Sequence, residues 1–316
     1  MPLLPPDVAI VLLNYNGGTD TTKCLQALYG LSSPPGQIIV VDNASTAEDR
    51  NVIEATWERL RKVSGKNAIR GHWVLLTENR GFSAGNNAGI QLALQDPACR
   101  AVWILNNDTE PAVEALETLC RRLNDNPKAG LAGSTLVYSH ARNTVQCAGG
   151  FVLSRLTGAT PALHGGESLE TVGRIPPESV ERKLGYLCGA SILVRREVFK
   201  TAGFLPEEYF LYYEDAAFCL DAQRADYSLV WAPGSIVFHK EGGSTGAKSE
   251  AADRGLKRSR IVDYLALRNR IYLIRRYFPH CLPVAIASYA GVMLNRLRRG
   301  QGGRLPLVLK ALADGI

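Results

Sequence analysis

No stretch of the 316-residue chain reaches the ~18 consecutive apolar residues of a membrane-spanning helix, which argues against a transmembrane anchor. The opening residues, Met1-Pro-Leu-Leu-Pro-Pro-Asp7, lack the basic region and apolar core of a signal peptide. The cysteines (Cys24, Cys99, Cys120, Cys147, Cys188, Cys219 and Cys281) are seven, an odd number, and none forms a CxxC pair. That pattern argues against a disulfide framework or a thiolate zinc site and fits a reducing compartment. Internal repeats and low-complexity tracts are also missing. Acids are scarce in one region only. From Leu256 onward, twelve Lys or Arg face Asp263 and Asp314 alone, a net of +10, so the rest carries about −4 of the total +6. Basicity confined to a tail excludes a uniformly basic nucleic-acid binder.

What is there reads as α/β. Val8–Leu13, Gln37–Val41, His72–Leu76 and Ala101–Leu105 are short apolar runs without polar alternation, as in strands buried on both faces. Helical segments are expected from Thr19 or Asp20 to Tyr29, and over Ala47–Lys62, Ala84–Leu94 and Pro111–Asn124. This alternation predicts a mostly parallel sheet with helices on both faces and ligands at the carboxyl ends of its strands. Further strands are expected over Leu131–Tyr138, Thr144–Leu153, Tyr186–Val194, Leu229–Trp231 and Ser235–Phe238, with a helix over Glu214–Ala225. Ser154–Lys183 and Gly242–Gly246 read as mobile loops. The expected division is one α/β domain over 1–250, with a nucleotide-binding half at about 7–130 and an acceptor-binding half at about 131–250. A basic and apolar helical extension covers 251–316.

Five constellations carry chemistry. Asp42 ends the second apolar run, where an acid can accept from a ribose hydroxyl or a base N–H, or cap a turn with Asn43 and Ser45. Arg80–Gly89 places glycines every four residues and is neither GxGxxG nor a P-loop. Close helix–sheet packing explains that spacing best, and Arg80 could still pair with a phosphate. Asn106-Asn107-Asp108-Thr109 sets an amide and a carboxylate two apart at a strand end, within reach of one divalent ion; it equally suits an Asx turn. Glu214-Asp215 follows the aromatic run Phe210-Leu211-Tyr212-Tyr213 and offers a general base or a helix cap. His239 ends a strand and suits a metal, a diphosphate or a structural bond.

In order and spacing these pieces resemble the family-2 inverting glycosyltransferases of GT-A fold, in particular the rhamnosyltransferase-like branch. The matching segments are Val11–Gly17, Val40–Ser45, Asn79–Asn87, Leu105–Thr109, Gly189–Ser191, Arg195–Phe199, Gly203-Phe204, Tyr209–Asp215 and Phe238-His239. The resemblance covers roughly residues 7 to 250. It implies that Asp215 is the base, with Glu214, Tyr213 and Arg224 at the acceptor. Asn14, Tyr15, Asn16, Asp42, Asn79, Arg80, Gly81, Asn86, Asn106 and Asn107 would line the nucleotide sugar. Asp108, Asn106 and His239 would hold Mg²⁺ or Mn²⁺. A dTDP- or UDP-sugar would be the donor, with rhamnose the first candidate, and a glycan or lipid-linked molecule the acceptor, in bacterial cell-surface polysaccharide synthesis. The expected location is cytoplasmic, at the inner face of the membrane if the tail touches it.

Two positions depart from the family pattern. Asn106 stands at the first position of the D-x-D motif. In the helix after Asp215, Ala217 and Asp221 replace a second Asp and a later Arg. A non-catalytic nucleotide-sugar-binding or scaffold protein of the same fold is the rival reading, but it would have no use for Asp215. A nucleotidyltransferase would need a Gly-rich, basic triphosphate loop near Asn14–Thr19, and none is present. For 256–316, contact with an acidic membrane surface stands level with packing on the catalytic domain or forming a homodimer.

Overall fold

The computed structural model describes residues 1–64, 69–240 and 259–316. The Gly242–Gly246 stretch and the first residues of the tail, 256–258, lie outside them. Four parallel strands, β1 (Val8–Asn14), β2 (Gln37–Asp42), β3 (Arg70–Leu75) and β4 (Ala101–Asn106), lie in the order β3-β2-β1-β4. β10 (Ser191–Arg195) runs antiparallel between β4 and β6 (Ala129–Tyr138). Beyond β6 comes the parallel β11 (Ser228–His239), then β5 (Thr109–Pro111) antiparallel at the edge. β7 (Val145–Ala148) pairs antiparallel with β6. The sheet is thus mostly parallel, with β5, β7 and β10 running against the rest. β8 (Gly150–Phe151) and β9 (Tyr186–Leu187) form a separate antiparallel pair.

The apolar runs of β1, β2 and β4 are continuous because both faces of the sheet are covered there, whereas β3, expected to be buried likewise, is a half-exposed edge strand with Leu75 open to solvent. Ala9, Val11, Ile39, Val41, Val102 and Ile104 enter one core, with Ile90 and Ala93 of α3 (Gly81–Gln95). The same core takes Phe218 and Ala222 of α8 (Glu214–Arg224). Ile10, Leu12, Ile38, Val40 and Trp103 enter the opposite core. There they meet α1 (Gly18–Tyr29), α2 (Ala47–Ser64) and α4 (Ala115–Asn124). The four-residue glycine spacing in α3 serves packing. A Cβ on Gly85 would lie 2.3 Å from the Leu13 side chain, and one on Gly89 would lie 2.6 Å from Val11. Register then aligns the strand ends: Asn14 pairs with Asp42, and Leu13 with Asn106.

Several sequence expectations change. The helix expected from Pro111 begins only at Ala115, because Thr109–Pro111 pairs with β11 as an edge strand, where proline's missing donor costs nothing. Neither Thr19 nor Asp20 caps α1; the Gly18 N–H is accepted by Asp49 Oδ1 at 2.6 Å. The segment 154–183 is not an open loop. It holds α5 (Leu169–Gly173) and α6 (Pro177–Glu181), whose Val172 and Val180 are buried. The expected strands over 144–153 and 186–194 each break in two, the first at Gly149, whose φ is +75°. Those over 229–231 and 235–238 are one strand with a bulge between Ala232 and Ile236.

The tail is helical: α9 (Arg260–Tyr277), α10 (Leu282–Ala287), α11 (Tyr289–Arg298) and α12 (Leu305–Gly315). Ile271 and Ile274 of α9 pack with Ala285, Tyr289, Val308 and Ala311 in a third core. Leu273 and Tyr277 of the same helix enter the first core. Asp263, buried, is paired with Arg296 and with Arg304 at 2.9 Å. Among the described residues no helix is long and apolar enough to cross a membrane.

Candidate active site

The aligned ends of β1, β2 and β4 form a hydrogen-bonded rim. Asn14 is fully buried at its centre. Its Nδ2 donates toward Asp42 Oδ1 (3.1 Å), Ser45 Oγ (3.0 Å) and Asp49 Oδ2 (2.7 Å). Its Oδ1 accepts from Thr21 Oγ1 (2.8 Å), the Gly17 N–H (3.3 Å) and Asn107 Nδ2 (3.3 Å). Asn107 also donates to Thr21 Oγ1 at 2.8 Å. Asp42 is buried as well, and its Oδ2 accepts the Ser45 N–H at 3.1 Å with Arg50 Nη1 at 3.5 Å. Asn14 and Asn107 therefore spend their polar atoms on the scaffold. Tyr15 is exposed beside them, and Asn16, at φ 50°, donates its N–H to Ser45 Oγ at 2.9 Å.

Next to this rim, Asn43 Nδ2 donates to Asn79 Oδ1 at 2.9 Å and to the Gly81 carbonyl at 3.2 Å, while its Oδ1 accepts the Arg80 N–H at 3.0 Å. Gly81 has φ +82°, and a Cβ there would lie 2.5 Å from the Phe210 carbonyl, so only glycine fits. The Arg80 guanidinium pairs with Glu207 at 3.3 Å, both half-exposed. Asn86 is buried and donates to the Phe82 carbonyl at 2.9 Å within its own helix.

The β5–β11 pairing sets Thr109 opposite His239 and so draws the ends of two distant segments together. His239 Nε2 lies 3.2 Å from Asp108 Oδ1, and Nδ1 lies 2.8 Å from Gln146 Oε1. With the amide oxygen of Gln146 accepting from Nδ1–H, Nε2 presents its lone pair to a carboxylate oxygen. Two acceptors at that separation are held by a shared proton or a cation. Asn106 adjoins the pair, its carbonyl accepting from Thr109 Oγ1 at 2.6 Å. A carboxylate oxygen and an imidazole nitrogen oriented from behind are donors of the kind a divalent cation takes; among the described residues no third His, Cys, Asp or Glu joins them.

The carboxylate pair sits at the N-terminus of α8, on a strained loop. Phe210, Tyr212 and Tyr213 all have positive φ, 62°, 71° and 69°. Phe210 (ψ −52°) is the centre of a γ-turn of the rare hand, closed by a 2.7 Å bond from the Leu211 N–H to the Tyr209 carbonyl. Such conformations cost roughly 1–3 kcal/mol each and persist only where the surroundings impose them. Asp215 Oδ2 accepts the Gly189 N–H at 3.0 Å, and Oδ1 accepts the Ala216 N–H at 2.8 Å. Burial among protein atoms pushes Asp215 up to about 6, against the lowering effect of these N–H groups. Its residue surface is nonetheless partly open, as a base serving a substrate requires. Glu214 is buried, and desolvation followed by the Asp215 charge pushes it well above the carboxylate range. Among the described residues its Oε2 meets no hydrogen-bond partner.

Arg224 does not join this group. It lies at the far end of α8, about 15 Å along the helix from Glu214, stacked 4.4 Å over the Tyr277 ring. Tyr213 donates its hydroxyl to the Gly158 carbonyl at 2.9 Å. Sequence reasoning named Gly189 only within a matching segment, without a role, and missed Asp49, Gln146 and Asn269. The last is fully buried, and its Nδ2 lies 2.8 Å from the carbonyls of Tyr209, Leu211 and Tyr212. No spacing rule flags an asparagine 54 residues beyond the acid it serves.

Solved structures share this architecture. A Pyrobaculum calidifontis mannosyltransferase in complex with GDP-Man and Mn²⁺ superposes with a TM-score of 0.53 at 16% identity, covering 99% of this chain and 89% of that one. TarS 1-349 of S. aureus with UDP-GlcNAc gives 0.60 at 13% identity, covering 98% and 80%. At such identities the likeness shows the fold, which is GT-A. The Low-salt glycan biosynthesis hexosyltransferase Agl10 of Haloferax volcanii is 26% identical over 223 residues, 71% of this chain. The match spans 64% of that relative's length. An N-acetylglucosaminyl-diphospho-decaprenol L-rhamnosyltransferase of Mycobacterium tuberculosis is 25% identical over 246 residues, 75% of this chain and 77% of that protein. The description of Glycosyl transferase family 2 matches residues 9–203, more than half of the sequence, and the chain belongs to that family.

Proposed function

We propose that the chain transfers a hexose or deoxyhexose, rhamnose foremost, from a dTDP- or UDP-sugar to a lipid-linked or glycan acceptor with inversion, in the assembly of a bacterial surface polysaccharide. The observation that carries this reading is Asp215, a half-open carboxyl pushed up to about 6 and aimed by the Gly189 N–H. Near neutral pH it is ionised yet basic enough to take the acceptor hydroxyl's proton as that oxygen attacks the anomeric carbon. Glu214 lies buried beside it, held well above the carboxylate range by desolvation and by the Asp215 charge, and forms the wall of the acceptor site. Asp42 receives the nucleoside at the β1–β2 crevice, flanked by Tyr15. Asp108 and His239, with Asn106, hold Mg²⁺ or Mn²⁺, which when bound neutralises the departing diphosphate. The acceptor class follows the name of the mycobacterial relative, and the cation is supported by the Mn²⁺ of the mannosyltransferase structure.

The decisive assay offers the purified chain a panel of nucleotide sugars with Mg²⁺ or Mn²⁺ and measures release of nucleoside diphosphate. One donor should turn over, and Asp215→Asn should lower the rate roughly 10²–10⁴-fold. No turnover, together with no protection against thermal unfolding by any nucleotide, would leave the scaffold reading in its place.

A second element of the reading concerns location. Val284, Leu294 and Leu297 are exposed on α10 and α11, ending at the exposed Arg298 and Arg299. Nine Lys or Arg and no acid lie between Tyr264 and Ala313. An apolar stripe with a cationic end complements an anionic lipid surface, and its like charges disfavour pairing with a second copy. The chain should float with vesicles containing anionic phospholipid and not with neutral ones, and Leu294→Ser with Leu297→Ser should abolish flotation. A concentration-dependent dimer that the same variant dissolves would assign the stripe to self-association instead.

A further inference from the structure

Helix α9 reaches across the molecule to the loop that carries the base. Asn269 offers its amide hydrogens to three carbonyls, those of Tyr209, Leu211 and Tyr212, each at 2.8 Å. Arg268 Nε donates to Asn269 Oδ1 at 2.8 Å and fixes which way the amide faces. Arg268 Nη2 takes the Glu208 and Tyr209 carbonyls at 3.1 and 3.2 Å. The remaining carbonyl of the turn, Phe210, accepts the Phe82 N–H of α3 at 2.7 Å. Every carbonyl from residue 208 to 212 is thereby claimed from outside the loop. Three of the residues in this stretch and the next hold left-handed backbone angles without being glycine. Left alone, such a loop relaxes to ordinary angles, and α8 begins where the loop ends.

We propose that Asn269, oriented by Arg268, is a positioning residue for the catalytic carboxylate. By pinning the strained turn it fixes the first turn of α8, and with it the contact of Asp215 on the Gly189 N–H. The inference rests on the reading of Asp215 as the base. On the loop Asn269 touches backbone only, at a stretch before the acid, so its effect on chemistry passes wholly through placement. The groups facing Asp215 are Glu214 and Cys219 of α8, Tyr186 of β9 and Cys188 beside Gly189. A relaxed turn draws Asp215 out of these surroundings toward water.

The test compares wild type with Asn269→Ala and with the milder Arg268→Ala in the donor-turnover assay. Asn269→Ala should lower kcat about 100-fold with the donor KM within twofold, and Arg268→Ala about tenfold. The acid limb of the pH–rate profile, near pH 6 in wild type, should move down by about one unit in Asn269→Ala as the acid regains solvent. General destabilisation would lower the melting temperature and leave that limb in place. Hydrogen exchange gives a readout independent of any activity: amides 209–216 should exchange at least tenfold faster in Asn269→Ala while the β1–β2–β4 amides keep wild-type protection. Unchanged exchange at 209–216, or folded variants with wild-type kcat and acid limb, overturns the proposal. If wild type itself turns over no donor, the base reading fails alone, and exchange still decides whether Asn269 pins the turn.

Discussion

The two sides of the crevice are built on opposite principles. At the strand-end rim, proposed to take the nucleotide, Asn14 saturates its amide with Asp42, Ser45, Asp49, Thr21 and Asn107. At the loop before α8, proposed to face the acceptor, a γ-turn of the rare hand leads into two adjacent acids, one buried with no partner for its Oε2 among the described residues. A satisfied network gives a rigid shape. A strained turn and a destabilised carboxyl give reactivity, because a base is useful only when its proton affinity has been lifted above the ordinary value. The two regions meet where the Phe82 N–H reaches the Phe210 carbonyl at 2.7 Å.

Removing the saturated hub should have the larger effect. Asn14→Ala strands two carboxylates, two hydroxyls and an amide, and should lower unfolding free energy by about 3 kcal/mol in urea denaturation. An unchanged midpoint would mean that the rim is not the rigid side, and the contrast would collapse. Neutralising the destabilised acid should do the reverse. The folded-state value of Asp215 lies above its unfolded value, so wild type has full stability below about pH 4 and loses it as pH rises through about 6. Asp215→Asn should therefore be the more stable protein at pH 8 by about 1–2 kcal/mol, a figure reduced for partial exposure. That advantage should vanish near pH 4 in thermal denaturation. A variant equally destabilised at both pH values would show that the carboxyl carries no burial penalty.

The sequence was most legible where periodicity and position coincide. The four apolar runs became β1 to β4, and the final polar residues of β1, β2 and β4 met at one edge because parallel register leaves no other choice. The helix that starts at Glu214-Asp215 was legible as well, since two acids after an aromatic run suit a helix N-terminus. The polar segment 154–183 misled because two buried valines, Val172 and Val180, hold it in place among many charged neighbours. Pro111 misled because the rule that proline opens a helix competed with an edge-strand position. Arg224 was legible as a charge on the right helix and misplaced along it, since helical rise carries it to the opposite end. Asn269 was illegible because its partners are backbone carbonyls, which look alike in every sequence.

The bonds from α9 to residues 208–212 also bear on recombination between relatives. A chimera that joined one protein's first 250 residues to another's helical tail would bring together a turn and a clasp selected apart from one another. Such hybrids should inherit nucleotide recognition from the donor of the sheet and lose turnover at the junction, unless the segment around residue 210 travels with the tail. Exchange of acceptor preference within this architecture therefore requires transplanting two stretches remote in sequence as one unit.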